Sequence, residues 1–179
     1  MQFEPTGIAG VVLVRPERHA DARGYFARTW CQDEFAAAGL NPRVVQRNVS
    51  FNQAAATLRG LHYQRPPHAE AKVVTCISGA IFDVAVDLRP DSPTYRRWVG
   101  AELRAASGTM LYIAAGCAHG FLTLEPESTV EYLMSAVFEP TAAAGVRWDD
   151  PAFGIRWPCP PRVMAERDRA WPDFVAEPA

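Results

Sequence analysis

The chain has 179 residues, of which 49% are hydrophobic and 21% are charged, a balance typical of a folded globular protein rather than a disordered one. Its formal net charge of -2 argues against nucleic acid as the main partner, because binding a phosphate backbone requires a basic field. The longest apolar stretch, residues 110–118, is far shorter than the roughly 20 residues that span a bilayer, and the first ten residues lack the pattern of a signal peptide. We therefore predict one domain over residues 1–179, in the cytoplasm, with neither a nucleic-acid nor a membrane partner. The cysteines are scattered without a C-x-x-C pair, which fits the same reduced compartment.

Helix signals are few, and most of the chain carries the pattern of short strands. One helix is predicted at residues 32–38, where Asp33 and Glu34 occupy the first turn and Gly39 can end it, and a shorter one is predicted at 165–170. Strands are predicted at residues 11–14, 44–50, 57–63, 71–77, 81–88, 98–103, 109–113, 120–124 and 130–135. Many short strands separated by Gly, Pro, Asn and Asp predict an all-β sandwich or barrel rather than alternating βαβ units.

Alternating polar positions on two predicted strands leave two interpretations open. Gln46, Asn48 and Ser50 share one face of their strand, since successive strand side chains point to opposite faces. Asp83 and Asp87 likewise share one face of theirs. A half-polar face is expected on any solvated sheet, and a barrel whose polar interior holds a ligand would give the same pattern.

Residues with acid–base and anion-binding chemistry occur in clusters along the chain. In chain order these are TLRGLHYQ at 57–64, Lys72, GCAHGF at 116–121, Tyr132 and RDR at 167–169. The first is the densest, because Arg59 and His62 lie within four residues of each other. Each residue taken alone is typical of an ordinary structural position, such as a hydrogen-bonded histidine or a solvated cation. Together they supply an imidazole, a phenol, a carboxylate and cations, the groups that proton transfer and anion binding require.

A metal site of the His-x-His type is one alternative use of these residues. Its candidate ligands are His62, Glu70 and His119, but Gln64 stands where the second histidine of the pair would be. Lys72 lies two residues from Glu70, and a cation there would repel a divalent ion. Because this set departs from the usual histidine and carboxylate shells, we predict no metal and no other cofactor, which disfavours a metal-dependent oxygenase.

Long motifs follow one another in a fixed order from about residue 8 to residue 174. They are DARGYFARTW, QRNVS, TLRGLHYQ, EAKVV, GAIFDVAVDLRPDSPTY, AAGCAHGF and GVRWDDPAFGIRWP. In these motifs the chain resembles the dTDP-4-dehydrorhamnose 3,5-epimerases. The resemblance implies a cupin-type jelly roll, also called a double-stranded β-helix barrel, with a few short peripheral helices. It also implies a homodimer that exchanges N-terminal strands, and the apolar predicted strand at 11–14, with no obvious local hairpin partner, fits such pairing.

The reaction that the resemblance implies is epimerisation at C3 and C5 of a nucleotide-linked 4-keto-6-deoxy sugar. The C4 ketone acidifies the neighbouring C–H protons, so the site needs a base, an acid on the opposite face and a cation near the enolate oxygen. By resemblance, His62 is the general base and Asp168 orients it. Tyr132 is the opposing acid, and Lys72 lies beside the keto oxygen. The implied substrate-binding residues are Arg23, Phe26, Gln46, Asn48, Arg59, His119, Phe138 and Arg167, with Arg23, Arg59 and His119 around the diphosphate.

Three positions depart from the family pattern. Arg28 stands where many members carry a glutamate near the nucleotide, and Ala114 replaces the proline usual before the G-x-x-H turn. Phe138 stands where a tyrosine is common near the sugar, a position that bears on how many carbons are inverted. Single-site 3- or 5-epimerisation and a non-catalytic sugar-nucleotide-binding cupin are the alternatives. The intact acid and base argue against the pure binder.

Overall fold

The computed structural model describes residues 1–175, so the last four residues of the predicted domain lie outside it. Residues 1–175 form fourteen strands and two short helices. They are β1 (Gln2–Pro5), β2 (Val11–Arg15), β3 (Arg18–Asp21), β4 (Gly24–Ala27), α1 (Gln32–Ala37), β5 (Gln46–Asn52), β6 (Thr57–Gln64), β7 (Lys72–Ser78), β8 (Ala80–Asp87), β9 (Trp98–Arg104), β10 (Met110–Ile113), β11 (Cys117–Thr123), β12 (Ser128–Met134), β13 (Ala143–Gly145), β14 (Val163–Met164) and α2 (Glu166–Arg169).

Two sheets carry most of these strands. The first has the order β1-β2-β10-β7-β12-β5, and the second has the order β13-β6-β11-β8-β9 with the short β14 parallel to β6. The main core contains buried side chains from both sheets, including Val74 and Leu111 from the first and Ile81 and Phe121 from the second. Two antiparallel sheets packed over such a core make a jelly roll, and the predicted all-β cupin-type fold with short helices is therefore confirmed.

The polar face of β8 belongs to the barrel interior. Asp83 and Asp87 are fully buried, so this face is not a solvated one. The other face is buried as well, because Phe82, Val84 and Val86 pack in a second apolar cluster outside the main core. Because both faces of β8 are buried, its sequence does not alternate between a buried apolar face and a solvent-exposed polar face. Alternation alone therefore could not distinguish a solvated face from a polar barrel interior.

The N-terminal segment corrects one sequence-based expectation. The strand predicted at 11–14 does have a local hairpin partner, because β1 pairs antiparallel with β2 in the register Phe3↔Val14. On its other side β2 pairs with β10, so β2 is not an edge strand. β1 was missed because its sequence, QFEP, is short and ends in a proline, with no apolar alternation to reveal it.

A second hairpin, formed by β3 and β4, stands apart from both sheets. It carries large exposed aromatic side chains, with Tyr25 57% and Phe26 73% accessible to solvent. A free hairpin of two strands buries little apolar surface. No helix within residues 1–175 is long and apolar enough to cross a membrane.

Candidate active site

One cavity of about 570 Å³ opens between the two sheets. Strands β5, β7 and β12 of the first sheet and strands β6 and β11 of the second contribute to its wall, together with the loop after β12 and the segment around α2. Ten of the twelve predicted site residues line it: Gln46, Asn48, Arg59, His62, Lys72, His119, Tyr132, Phe138, Arg167 and Asp168. The volume is in the range of small-molecule sites.

His62 and Asp168 form a hydrogen-bonded pair in this cavity. His62 Nε2 donates to Asp168 Oδ1 at 2.7 Å, and the Gly60 backbone N–H donates to Asp168 Oδ2 at 3.2 Å. Burial opposes ionisation of Asp168, but the contacts from His62, Gly60 and Arg167 outweigh it and hold the pKa of this carboxyl below its ordinary value. An ionised Asp168 keeps the proton of His62 on Nε2, which leaves Nδ1 as the nitrogen that can accept a proton.

A register shift in the second sheet places Arg59 and His62 in the same cavity. Strict alternation would put side chains three residues apart on opposite faces. His119 of β11 pairs with His62 and Phe121 pairs with Arg59, so β6 holds one more residue than its partner between these pairs. Gly60 lies within this bulge with φ of +129°, and a Cβ there would come within 2.5 Å of the Gly120 Cα. Only glycine fits this position.

Tyr132 faces the cavity from the first sheet, whereas His62 belongs to the second. The Tyr132 hydroxyl lies 3.1 Å from Ser50 Oγ, and the His119 ring packs edge-on against its ring at a centroid distance of 6.1 Å. Burial raises the pKa of Tyr132, and the Ser50 hydrogen bond opposes that rise only in part. The phenol therefore carries its proton at neutral pH and can act as an acid.

Lys72 begins β7, beside the strand that carries Tyr132, and forms a buried ion pair. Its Nζ lies 2.9 Å from Glu70 Oε1, and both side chains are almost completely buried. The ammonium has three donors, so Glu70 occupies one of them. Glu70 Oε2 has no hydrogen-bond partner within residues 1–175. Glu70 thus contacts the cation instead of joining His62 and His119, and no cluster of three or more His, Cys, Asp and Glu side chains suited to a metal occurs in that range.

His119, which lines the cavity, belongs to a second histidine–aspartate pair. His119 Nε2 is 2.7 Å from Asp83 Oδ1, and both side chains are buried. Arg59 is held differently, because its Nε donates to Asn52 Oδ1 at 2.7 Å and its guanidinium also reaches the Phe51 carbonyl. These contacts hold an imidazole and a guanidinium at the cavity wall, where they can meet an anionic ligand.

The amides of β5 form a chain along the cavity rim. Gln46 Nε2 donates to Asn48 Oδ1 at 3.0 Å, and Gln46 Oε1 accepts the Phe138 backbone N–H at 3.0 Å. The Phe138 ring itself is 55% exposed. The predicted common face of Gln46, Asn48 and Ser50 is confirmed, since all three line the cavity.

Arg23 and Phe26 are the two predicted site residues that lie outside this cavity. Both are on the β3–β4 hairpin, where Arg23 pairs with Asp21 and its side chain is 90% exposed. Phe26 lines a separate small hollow with Arg28, Glu34 and the N-terminal residue. Their predicted role in substrate binding stays a prediction.

Sequence reasoning left out several residues of the site. Trp171 lines the cavity, and its ring packs so closely on Gly145 that a Cβ at this glycine would lie 2.3 Å from a ring carbon. The strand alternation of Ser50 and Asp83 predicts the face on which each lies but no role in the site. The pairing of Ser50 with Tyr132 and of Asp83 with His119 depends on strand neighbours, which one strand's periodicity does not reveal.

The fold and the site together define a class: a jelly-roll protein whose central cavity holds a histidine–aspartate pair on one sheet and a phenol and an ammonium on the other. The family model for dTDP-4-dehydrorhamnose 3,5-epimerase matches residues 5–176. The chain belongs to this family.

Individual relatives support this assignment. A dTDP-4-dehydrorhamnose 3,5-epimerase of Sinorhizobium fredii is 41% identical over 179 residues, covering 99% of this chain and 92% of the relative. A dTDP-4-dehydrorhamnose 3-epimerase of Streptomyces niveus is 40% identical, covering 94% of this chain and 82% of the relative. The crystal structure of the Bacillus anthracis 3,5-epimerase with TDP and pyrophosphate bound superimposes with a TM-score of 0.93 at 35% identity, covering 97% of this chain and 99% of that one.

Proposed function

We propose that this protein inverts C3 and C5 of a dTDP-linked 4-keto-6-deoxyhexose, converting dTDP-4-dehydro-6-deoxyglucose to dTDP-4-dehydrorhamnose. Family membership supports the reaction class and the nucleotide-sugar substrate. The observation that carries the chemistry is the placement of His62 and Tyr132 on opposite sheets of one cavity. An inversion needs this arrangement, because one face of the sugar must lose a proton and the other must gain one.

Each step has a residue suited to it. His62 Nδ1 takes the proton from the carbon next to the C4 ketone, and Asp168 stabilises the imidazolium that forms. The electron pair moves onto the ketone oxygen, where the Lys72 ammonium donates a hydrogen bond to the enolate. Tyr132 then delivers its proton to the opposite face. Arg59 and His119 bind the diphosphate, since guanidinium and imidazole N–H groups can donate hydrogen bonds to phosphate oxygens.

The reaction in heavy water tests this proposal directly. Incubating the protein with dTDP-4-keto-6-deoxyglucose should place one deuterium on each carbon that is inverted, and NMR distinguishes C3 from C5. The His62→Ala variant is the matched control, because it should lose turnover by a factor of roughly 10²–10⁴ while still binding dTDP. A wild-type enzyme that exchanges neither proton would contradict the proposal.

Inversion at a single carbon is the second candidate. It is favoured by the Streptomyces niveus 3-epimerase, which is nearly as similar as the 3,5-epimerase of Sinorhizobium fredii, and by Phe138 at a position where tyrosine is common. The same experiment separates the two candidates. Deuterium and inversion at C3 alone would identify a 3-epimerase, whereas both carbons should change in the reaction proposed first.

We further propose a cytoplasmic homodimer in which the β3–β4 hairpin completes the partner's site. The exposed Tyr25 and Phe26 rings support this arrangement, because a patch of exposed aromatic rings is typical of an interaction surface. Arg23, whose side chain is 90% exposed on the same hairpin, would then be supplied to the partner's site. A molecular mass measured in solution at micromolar concentration should be twice that of the chain. Removing the aromatic rings, in Tyr25→Ser/Phe26→Ser, should shift the mass toward one chain and weaken dTDP binding, and a wild-type monomer would refute the dimer.

A further inference from the structure

Ser50 gives the Tyr132 hydroxyl its one hydrogen bond within residues 1–175, at 3.1 Å between the two oxygens. The two residues lie on neighbouring strands, β5 and β12, where Val130 is directly opposite Ser50 and Tyr132 is two residues further along. Their side chains therefore share the cavity face of the first sheet, and both line the cavity. Both the Ser50 and the Tyr132 hydroxyl groups can donate or accept the hydrogen bond between them.

In the proposed reaction Tyr132 must regain a proton after each inversion, whereas His62 must release one. After each inversion, His62 holds one extra proton and Tyr132 has lost one, so both must be reset before the next inversion. The His62 side chain is 35% exposed and can return its proton to solvent. Tyr132 is partly buried between Ser50 and the His119 ring, and it lines the cavity that the proposed substrate would fill.

The phenolate left by the inversion is costly in these surroundings. Burial raises the pKa of Tyr132, and the hydrogen bond from Ser50 is the largest effect that opposes this rise. A Ser50 hydroxyl that donates to the phenolate therefore stabilises it. Ser50 itself is partly exposed and lies on β5, the edge strand of its sheet. Its hydroxyl can therefore contact Tyr132 and a solvent water molecule at the same time.

We propose that Ser50 is the proton relay that resets Tyr132, a role that rests on the proposed function and acts through the tyrosine. The Ser50 O–H bond breaks as its proton moves to the Tyr132 phenolate, and Ser50 Oγ takes a proton from a solvent water molecule in the same motion. The water gives up one proton in exchange for the one delivered to the sugar, and His62 returns its extra proton to solvent. No oxidation state changes, and the enzyme is restored.

Counting inverted carbons per active site tests the relay. In Ser50→Ala the first inversion can use the proton already on Tyr132, whereas every later one waits for a slow reset. With rapid mixing at high enzyme concentration we expect a burst close to one inverted carbon per site, followed by a steady rate about 10- to 100-fold below wild type, the range for losing one hydrogen bond to a charged oxygen. Ser50→Thr keeps the hydroxyl and should restore the steady rate to within about threefold.

The controls separate this role from a purely structural one. Ser78→Ala removes an exposed serine from β7 and should behave as wild type. Loss of rate in Ser50→Ala without a burst would mean that Ser50 only positions Tyr132, and wild-type rates, or a Ser50→Thr variant as slow as Ser50→Ala, would also overturn the relay. If the wild-type enzyme inverts no carbon, the proposed function itself fails, which is a different result from an active wild type with an unaffected Ser50→Ala.

Discussion

His62 and Asp168 lie 106 residues apart in the chain, yet His62 Nε2 donates a 2.7 Å hydrogen bond to Asp168 Oδ1. The aspartate is held from its other side by the Gly60 N–H, which belongs to the same strand as the histidine. The C-terminal segment therefore forms part of the wall of the candidate active site. Asp168 belongs to α2, a helix of four residues, which is too short to be stable without its tertiary contacts.

Replacing Asp168 with asparagine should lower kcat by roughly 10²–10⁴, because the neutral amide no longer stabilises the imidazolium and can hold the wrong tautomer. Binding of dTDP should change less than threefold, since Asp168 is assigned to proton transfer. Asp173→Asn is the matched control: Asp173 is on the same segment, its side chain is 71% exposed and it pairs with Arg147. Equal losses of rate in the two variants would point to a general disturbance of the segment.

Arg59→Ala should weaken dTDP binding by at least about tenfold, because a guanidinium can bind phosphate oxygens through paired hydrogen bonds. Arg47→Ala provides the comparison. Arg47 forms an exposed ion pair with Glu131, and an exposed ion pair contributes little to stability. Isothermal titration with dTDP measures both affinities. Unchanged affinity in Arg59→Ala would remove Arg59 from the nucleotide site.

Gly145 should tolerate no side chain while Trp171 is present. Gly145 pairs with His62 in the sheet, and a Cβ there would lie 2.3 Å from the Trp171 ring. Gly145→Ala should displace Trp171 and, with it, the segment that carries Asp168, lowering both kcat and the melting temperature. Adding Trp171→Ala should recover part of the loss, so that the two changes are not additive. Strictly additive losses would show that this contact does not position Asp168.

Asp87 should link stability to acid pH. Burial opposes its ionisation, but hydrogen bonds from Arg89, Ser92 and Thr94 prevail and lower the pKa of this carboxyl to about 2. Because the folded-state pKa lies below the unfolded value, the stabilisation is present above pH ~4 and is lost as the pH falls toward 2, and it amounts to about 2 kcal/mol. Urea unfolding should show Asp87→Asn less stable than wild type at pH 7, with a difference that narrows below pH ~4. A difference independent of pH would contradict this linkage.

The sequence predicted every strand of five or more residues, including the largely exposed β5, and missed five shorter strands. Strands β6, β8 and β12 alternate or run apolar long enough to be found, and their predicted positions differ from the observed ones by one or two residues. The segments RHAD and GYFA of the β3–β4 hairpin are almost entirely exposed, so they carry no burial pattern. A short segment without apolar alternation carries no periodic signal, so its sequence alone does not reveal that it forms a strand.

The candidate active site was likewise predictable only in part from the sequence. Its residue types were visible in the sequence, but their roles came from the family resemblance. Strict alternation would have put Arg59 and His62 on opposite faces, and a one-residue bulge against β11 brings them together. The Ser50–Tyr132 contact likewise depends on which strands are neighbours. Bulges and strand neighbours are long-range properties that one strand's pattern does not contain.

The central claim is that a base and an acid act from opposite sheets of the barrel, and Tyr132→Phe tests it most directly. In heavy water, His62 and Lys72 should still generate the enolate in this variant, so deuterium should enter C3 or C5 at a rate near that of wild type. Without the phenol, protons should return mainly from the His62 side, and the inverted product should fall at least tenfold relative to deuterium uptake. A Tyr132→Phe enzyme that inverts the sugar as fast as wild type would contradict the account.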